Sequence, residues 1–297
     1  MKSGGAVCPF CSTAAPDSYL RSEAMSGRMS EQMMAVVTGQ IGQTGMAYRS
    51  PSDKDKAAFQ RAAKRRPDYQ EHIPNEPIPR SEPRRVSPPL YGLVNFDQLF
   101  NDRQAIALAT IQRLIQETAK EIANQHSEEY GRAIAVTLSM ALGRQADYCS
   151  SLCVWGMGFI AHTFGRQALP MVWDYCEGVP IGYASGNWAG AVDWVCRVVT
   201  ALSNSGEAGK PTRASALGIP FHDSAVDATI TDPPYYDSVP YSDLSDFFYV
   251  WHKRTLAPFL PDVFRTPLTP KTQEIVCLLY TSPSPRDLST SRMPSSA

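Results

Sequence analysis

The tetrapeptide Asp232-Pro233-Pro234-Tyr235 combines residue types that could bind and orient an aromatic amine. The two prolines lack a backbone N–H and have a fixed φ, so they stiffen the turn and leave their carbonyl oxygens free to accept hydrogen bonds. The Asp232 carboxylate is a further acceptor, and the Tyr235 ring is a flat stacking surface. This set suits a planar ring with an exocyclic amino group, whose N–H groups would donate to Asp232 and to the Pro233 carbonyl. Such bonds would aim the nitrogen lone pair at an electrophile.

The residues before this tetrapeptide predict the element that positions it. Residues 226–231 are short, apolar and rich in β-branched side chains, which is typical of a buried parallel strand. Ligands of open α/β sheets bind beyond the carboxyl ends of the strands, so Asp232 is expected in a ligand crevice. Residues 214–217 predict a second, shorter strand. Strands that alternate with helices favour an α/β doubly wound sheet.

Four helices are predicted around these strands. Apolar residues at three-four spacing indicate helices that begin near Arg103 and cover residues 129–146, 188–202 and 242–254. Asn101 or Asp102 is expected to cap the first of them. Most aromatic residues of the last helix are expected to pack it on the sheet. Tyr236, Asp237 and Tyr241 lie nearer the tetrapeptide and are the candidates to line a base pocket.

Cys8 and Cys11 form a CxxC spacing that is typical of a zinc knuckle. Structural zinc takes four thiolate or imidazole ligands, and one knuckle supplies two. His72, the nearest later histidine, has no partner at ligand spacing. Either the other ligands lie upstream of this sequence, or the two cysteines bind no metal. Residues 1–49 are interpreted as a remnant zinc-ribbon region.

The composition sets the class of protein. Of 297 residues, 43% are apolar and 19% charged, which is ordinary for a globular protein, and the net charge of −1 does not indicate a nucleic-acid binder. Residues 50–89 are basic and Pro-rich and are interpreted as a linker. Residues 277–297 are Ser/Pro-rich and are interpreted as a disordered, non-native tail. With no signal peptide and no apolar run of about 20 residues, a cytoplasmic protein with reduced cysteines and no membrane partner is expected.

The tetrapeptide resembles motif IV of the methyltransferases that act on adenine N6 or cytosine N4. Residues 163–174 and 227–251 extend this likeness to the adenine-specific DNA methylases that carry a zinc ribbon and the domain of unknown function DUF1156. The resemblance implies a partial Rossmann-like class I methyltransferase sheet with a helical insertion over residues 90–276. It also implies S-adenosylmethionine as cofactor, zinc in the ribbon of the intact protein, and DNA as partner.

The resemblance also assigns roles to individual residues. Asp232 and Pro233 would bind the target amine, Pro234 would complete the rigid turn, and Tyr235 would stack on a base flipped out of the duplex. Ser215 and Ala216 take the position at which such folds contact the cofactor.

One departure from the family pattern is the Gly-rich cofactor loop, which has no counterpart in this sequence. Phe164-Gly165 lacks the further glycine. Because that loop precedes the zinc ribbon in the family, the chain is expected to be a fragment truncated at both ends and inactive alone. Cytosine N4 or an RNA adenine remains an alternative target. A non-catalytic nucleic-acid-binding fragment with a zinc ribbon is the alternative outside the enzyme class.

Overall fold

The structure is a computed structural model that describes residues 5–39, 45–80, 85–203, 206, 209, 211–212, 214–215, 218–234 and 239–272. Within these ranges the chain contains six α-helices and three small antiparallel sheets, so the protein is of mixed α and β structure. Across the described helices, none combines the length and the apolarity that crossing a bilayer requires.

Two β-hairpins and a short helix form the N-terminal region. Its elements are β1 (Gly5–Val7), β2 (Ala14–Pro16), α1 (Asp17–Met25), β3 (Val36–Gly39) and β4 (Met46–Arg49). In the first hairpin Gly5 pairs with Pro16, and in the second Val36 pairs with Arg49. Most side chains of these strands are exposed, so each hairpin depends on its own ladder rather than on a shared core.

Residues 50–89 differ from the linker that their composition suggests. They contain α2 (Asp53–Arg65), which starts with a capping box in which the Ser52 backbone N–H donates to the Asp55 carboxylate at 2.7 Å. The apolar residues of this segment are few, but Ile73, Ile78 and Val86 are buried in the main core. These three side chains belong to the same core cluster as residues of α3, α4 and α6, so this part of the chain packs on the helical body.

The body of the protein is helical. It comprises α3 (Asp102–Gln125), α4 (Glu128–Tyr148), α5 (Trp188–Ser203) and α6 (Tyr241–Leu256), which confirms the four predicted helices. Asn101 is the N-cap of α3, where its side chain accepts from the Gln104 backbone N–H at 3.0 Å. Two residues join α3 to α4, so these helices form an antiparallel hairpin against which α6 packs.

The core is centred on the aromatic residues of α6. Phe247 and Trp251 are fully buried, and their rings lie 5.5 Å and 5.3 Å from the ring of Phe100. Burying a side chain of this size contributes roughly 1.5–3 kcal/mol. The prediction that these aromatic residues pack the helix is therefore correct, but they pack on other helices and on the chain before α3, not on a sheet.

The remaining pair of strands, β5 (Val154–Trp155) and β6 (Ile160–Ala161), is also antiparallel. Residues 226–231 form no strand, and Val226 and Ile230 are 55% and 96% exposed, so the prediction of a buried parallel strand is wrong. A strand is stable only when neighbours complete its hydrogen bonds. The other predicted strand shows, within its described residues, an isolated bridge between Ser215 and Gly218.

Helix α5 has the predicted apolar face, but part of that face is exposed. Val199 and Leu202 on it are 51% and 65% exposed. In a doubly wound fold, this is the surface that a sheet would cover. The described residues therefore contain helices suited to such a fold but no parallel sheet.

Candidate functional site

The described part of the tetrapeptide lies at the protein surface. Asp232 and Pro233 are exposed and Pro234 is half-buried. No described residue forms a hydrogen bond or an ion pair with Asp232. Tyr235, Tyr236 and Asp237 lie outside the described residues. The two predicted acceptors are accessible to a ligand, but they do not lie in the crevice of a sheet edge as the sequence predicts.

Helix α6 fixes the chain that follows the tetrapeptide. Val239 and Pro240 are buried, and the Leu244 backbone N–H donates to the Pro240 carbonyl at 3.0 Å. Tyr241, the first residue of the helix, keeps 39% of its surface exposed. Of the three residues predicted to line a base pocket, Tyr241 is the one that the structure describes.

A buried carboxylate ties α6 to the segment after it. Asp246 is completely buried and accepts hydrogen bonds from the Thr269 backbone N–H at 2.8 Å and from the Thr269 hydroxyl at 2.7 Å. Lys271 Nζ lies 2.6 Å from the same carboxylate. Because its acceptors are taken by the protein, Asp246 anchors the helix and is not available to bind a substrate.

Of the two residues predicted to contact the cofactor, the structure describes one. Ser215 is exposed, and Ala216 lies outside the described residues. Phe164 packs against the ring of Phe247 with centroids 5.3 Å apart, and the Gly165 backbone N–H donates to the His162 carbonyl. The 164–165 dipeptide thus belongs to the core and a local turn, not to a nucleotide-binding loop.

Cys8 and Cys11 lie in the tight turn that joins β1 and β2. The Cys8 N–H donates to the Thr13 carbonyl at 3.0 Å, and the Ser12 N–H donates to the Cys8 carbonyl at 2.9 Å. A hydrogen bond with the Thr13 hydroxyl lowers the pKa of the exposed Cys11 thiol, since that hydroxyl can donate to the thiolate. Both cysteines are free, and no cluster of three or more His, Cys, Asp or Glu able to hold a metal occurs among the described residues.

Sequence spacing did not reveal the pair formed by Asp147 and His162. The His162 Nδ1 atom lies 2.7 Å from one Asp147 carboxylate oxygen, and the Phe164 N–H donates to the other at 3.0 Å. The His162 ring stacks on that of Tyr148, with centroids 5.3 Å apart. Burial raises the pKa of the Asp147 carboxyl despite these contacts. Such a pair fixes the orientation of the imidazole and leaves Nε2 as its second proton-exchanging atom.

The pair is joined to a small buried polar cluster. The Thr163 hydroxyl donates to the Asp147 carbonyl at 2.7 Å, and the hydroxyls of Ser150 and Thr163 are also 2.7 Å apart. Cys153 lies within the same cluster, and burial raises the pKa of its thiol. Cys149 and Cys153 are buried and free, so neither presents an exposed thiol that could act as a nucleophile.

Comparisons with known proteins give no relative from which a role could be transferred. No family model matches the sequence, and no significant match was found among curated proteins or among solved structures.

Proposed function

We propose that this chain belongs to an S-adenosylmethionine-dependent methyltransferase of Rossmann-like fold that methylates an exocyclic amino nitrogen, adenine N6 in DNA. The observation that carries the proposal is the sequence Asp232-Pro233-Pro234-Tyr235 immediately before the anchored aromatic helix α6. The two hydrogen-bond acceptors and the stacking ring of this tetrapeptide can together bind a planar ring that carries an amino group.

The part of the reaction that this chain's residues can perform is the binding of the amine. The Asp232 carboxylate is exposed and has no described protein partner, so it can accept one N–H of the amine. Pro233 is also exposed, so its carbonyl oxygen can accept the other. Tyr235 would stack on the ring. An adenine must leave the duplex to reach these groups.

The described residues include no complete site for S-adenosylmethionine. Ser215 is exposed beside an isolated bridge, and Ala216 lies outside the described residues. They also do not fit a structural zinc ion, because Cys8 and Cys11 supply two of the four ligands it takes. No step of the reaction is therefore assigned to either group.

Methylation assays on defined oligonucleotides test the proposal. The full-length protein from which the chain is expected to come is incubated with S-adenosylmethionine and DNA or RNA strands that contain adenine or cytosine, and the modified base is identified by mass spectrometry. N6-methyladenine in DNA is the expected product. N4-methylcytosine or a methylated RNA adenine would replace the proposed target. If none of the substrates is modified, the proposed methyl transfer is excluded.

Asp232→Ala is the matched variant. We expect it to lower the methylation rate by about a hundredfold or more, because a preorganised acceptor of the amine is lost. Asp223→Ala removes another exposed carboxylate from the same segment and is expected to keep the rate. Since both side chains are exposed, both variants should unfold at the wild-type temperature. Equal rates for the two variants would remove Asp232 from the mechanism.

The non-catalytic alternative is favoured by the exposed position of Asp232 and by the lack of a described cofactor site. Calorimetry distinguishes a non-catalytic nucleic-acid-binding fragment from the proposed methyltransferase. A nucleic-acid-binding fragment would bind an oligonucleotide but release no heat with S-adenosylmethionine, whereas the proposed enzyme binds both.

A further inference from the structure

A cavity of about 200 Å³ lies between the C-terminal half of α4 and the start of α5. It is lined by Arg144, Tyr148, Ser185, Gly186, Asn187, Gly190, Ala191 and Trp194. No Asp or Glu contributes to this lining. None of these residues belongs to the 232–235 tetrapeptide, so the cavity is separate from the proposed methyl-transfer site.

Arg144 provides the charge of this cavity. Its guanidinium carbon lies 5.2 Å from the centroid of the Tyr148 ring and 4.7 Å from that of Trp194, so two aromatic rings hold it in place. Burial raises the pKa of the nearby Asp147 carboxyl, and the charge of Arg144 opposes this only weakly; that carboxylate accepts from His162 and Phe164. No described residue forms a hydrogen bond or an ion pair with the guanidinium, whose N–H donors are therefore available.

The other polar side chains of the lining carry further donors, among them the Ser185 hydroxyl, and none of these side chains carries a charge. The Ser185 Oγ accepts from the Ile160 N–H at 3.0 Å, which leaves its hydroxyl hydrogen to donate. The Asn187 amide is used internally, because it donates to the Ala184 carbonyl at 2.7 Å and accepts from the Gly190 N–H at 2.8 Å. The side chains facing the cavity thus favour an anion.

We propose that this cavity binds a phosphate group, either free or carried by a nucleotide. A guanidinium offers parallel N–H donors that match two phosphate oxygens, and the bonds it forms are strengthened by charge. Sites for whole drug-sized ligands occupy about 300–1,000 Å³. The smaller volume here fits an anionic group and part of what it is attached to. Trp194 is 55% exposed and flanks Arg144, so an attached ring could stack on it.

Titration calorimetry with inorganic phosphate and, in a separate arm, with adenosine monophosphate tests the proposal. Saturable binding of both at equal affinity identifies free phosphate as the ligand, whereas tighter binding of the nucleotide identifies a nucleotide. Adenosine, which lacks the phosphate, is expected not to compete with phosphate for this cavity. If neither phosphate compound binds the wild-type chain, or if adenosine displaces phosphate as well as its monophosphate does, the proposal is overturned.

Variants assign the binding to Arg144. Arg144→Gln is expected to weaken binding by about tenfold or more, because charge-assisted hydrogen bonds are lost. Arg197→Gln is the matched control: this arginine lies on the exposed side of α5 in an ion pair with Asp193 and should be replaceable without effect on affinity. Equal affinities for the wild type and Arg144→Gln would contradict the assignment.

Two further variants keep the assignment testable if Arg144→Gln does not fold. Ser185→Ala removes the second donor and should weaken binding by a smaller factor, while Trp194→Phe should abolish the change in tryptophan fluorescence on binding but not the binding itself. Full binding and an unchanged fluorescence response in both variants would place the ligand elsewhere.

Discussion

His252 is a buried histidine whose titration should be visible in the stability of the protein. Its Nδ1 lies 2.6 Å from the Ser139 hydroxyl, and burial lowers the pKa of the ring from 6.5 to about 4. Between these two pH values the unfolded chain binds a proton that the folded chain does not. The contribution of His252 to the free energy of unfolding is therefore fully present above pH 6.5 and is lost as the pH falls towards 4. At pH 5 the loss is about 2 kcal/mol.

Urea denaturation at pH 7 and pH 5 measures this loss. The variant His252→Gln keeps a polar partner for Ser139 and should lose about 2 kcal/mol less than the wild type between the two pH values. His126→Gln, at an exposed histidine, should behave as the wild type. The same pH dependence in all three proteins would show that His252 titrates normally.

At the scale of elements, Gly131 sets how closely α3 and α4 approach. A Cβ atom at this position would lie 2.6 Å from the Ala119 carbonyl oxygen and 2.6 Å from the Ala123 Cβ, and neither group can rotate away. Gly131→Ala should lower the free energy of unfolding by about 1–3 kcal/mol, although alanine favours a helix by about 1 kcal/mol.

A second helical glycine provides the control in the same denaturation experiment. The nearest atom to a Cβ at Gly190 in α5 is 3.5 Å away, which is an ordinary contact. Gly190→Ala should leave stability unchanged or raise it by up to about 1 kcal/mol. If the two variants are equally stable, the close approach of α3 and α4 is not what requires Gly131.

The elements that could be predicted from the sequence are those whose signals are local. The start of α3 follows from Asn101 and Gln104, which are three residues apart, and its apolar face repeats within single turns. Residues 226–231 have the composition of a buried strand, but a strand also depends on partners far away in sequence, and composition does not show whether they are present.

For the candidate site, too, the features that could be predicted from the sequence are those set by neighbouring residues. The acceptor chemistry of Asp232 and Pro233 is a property of adjacent residues and could be recognised directly. The contact of Asp147 with His162 and the position of Arg144 between two rings depend on how α4 meets β6 and α5. No spacing of residue types predicts such contacts, since they arise only when the chain packs.

At the scale of the whole molecule, stability should be unequal between the helical body and the N-terminal hairpins. The main core joins residues before α3 with α3, α4 and α6, whereas the side chains of β1 to β4 are mostly exposed. Backbone amides of α3 and α6 should exchange with deuterium at least about a hundredfold more slowly than those of the two hairpins. Mass spectrometry of the exchanging chain checks this, and uniform exchange would indicate a single cooperative unit.

Helix α6 is held near both of its ends. At its C-terminal end Gln116 donates to the Arg254 carbonyl at 2.8 Å, and Arg254 pairs with Glu76; near its start the Thr269 hydroxyl donates to the Ser242 carbonyl at 2.9 Å. Helix α6, which follows the tetrapeptide, is therefore already held in place when a ligand binds Asp232. No entropy then has to be lost on ordering α6, which favours binding.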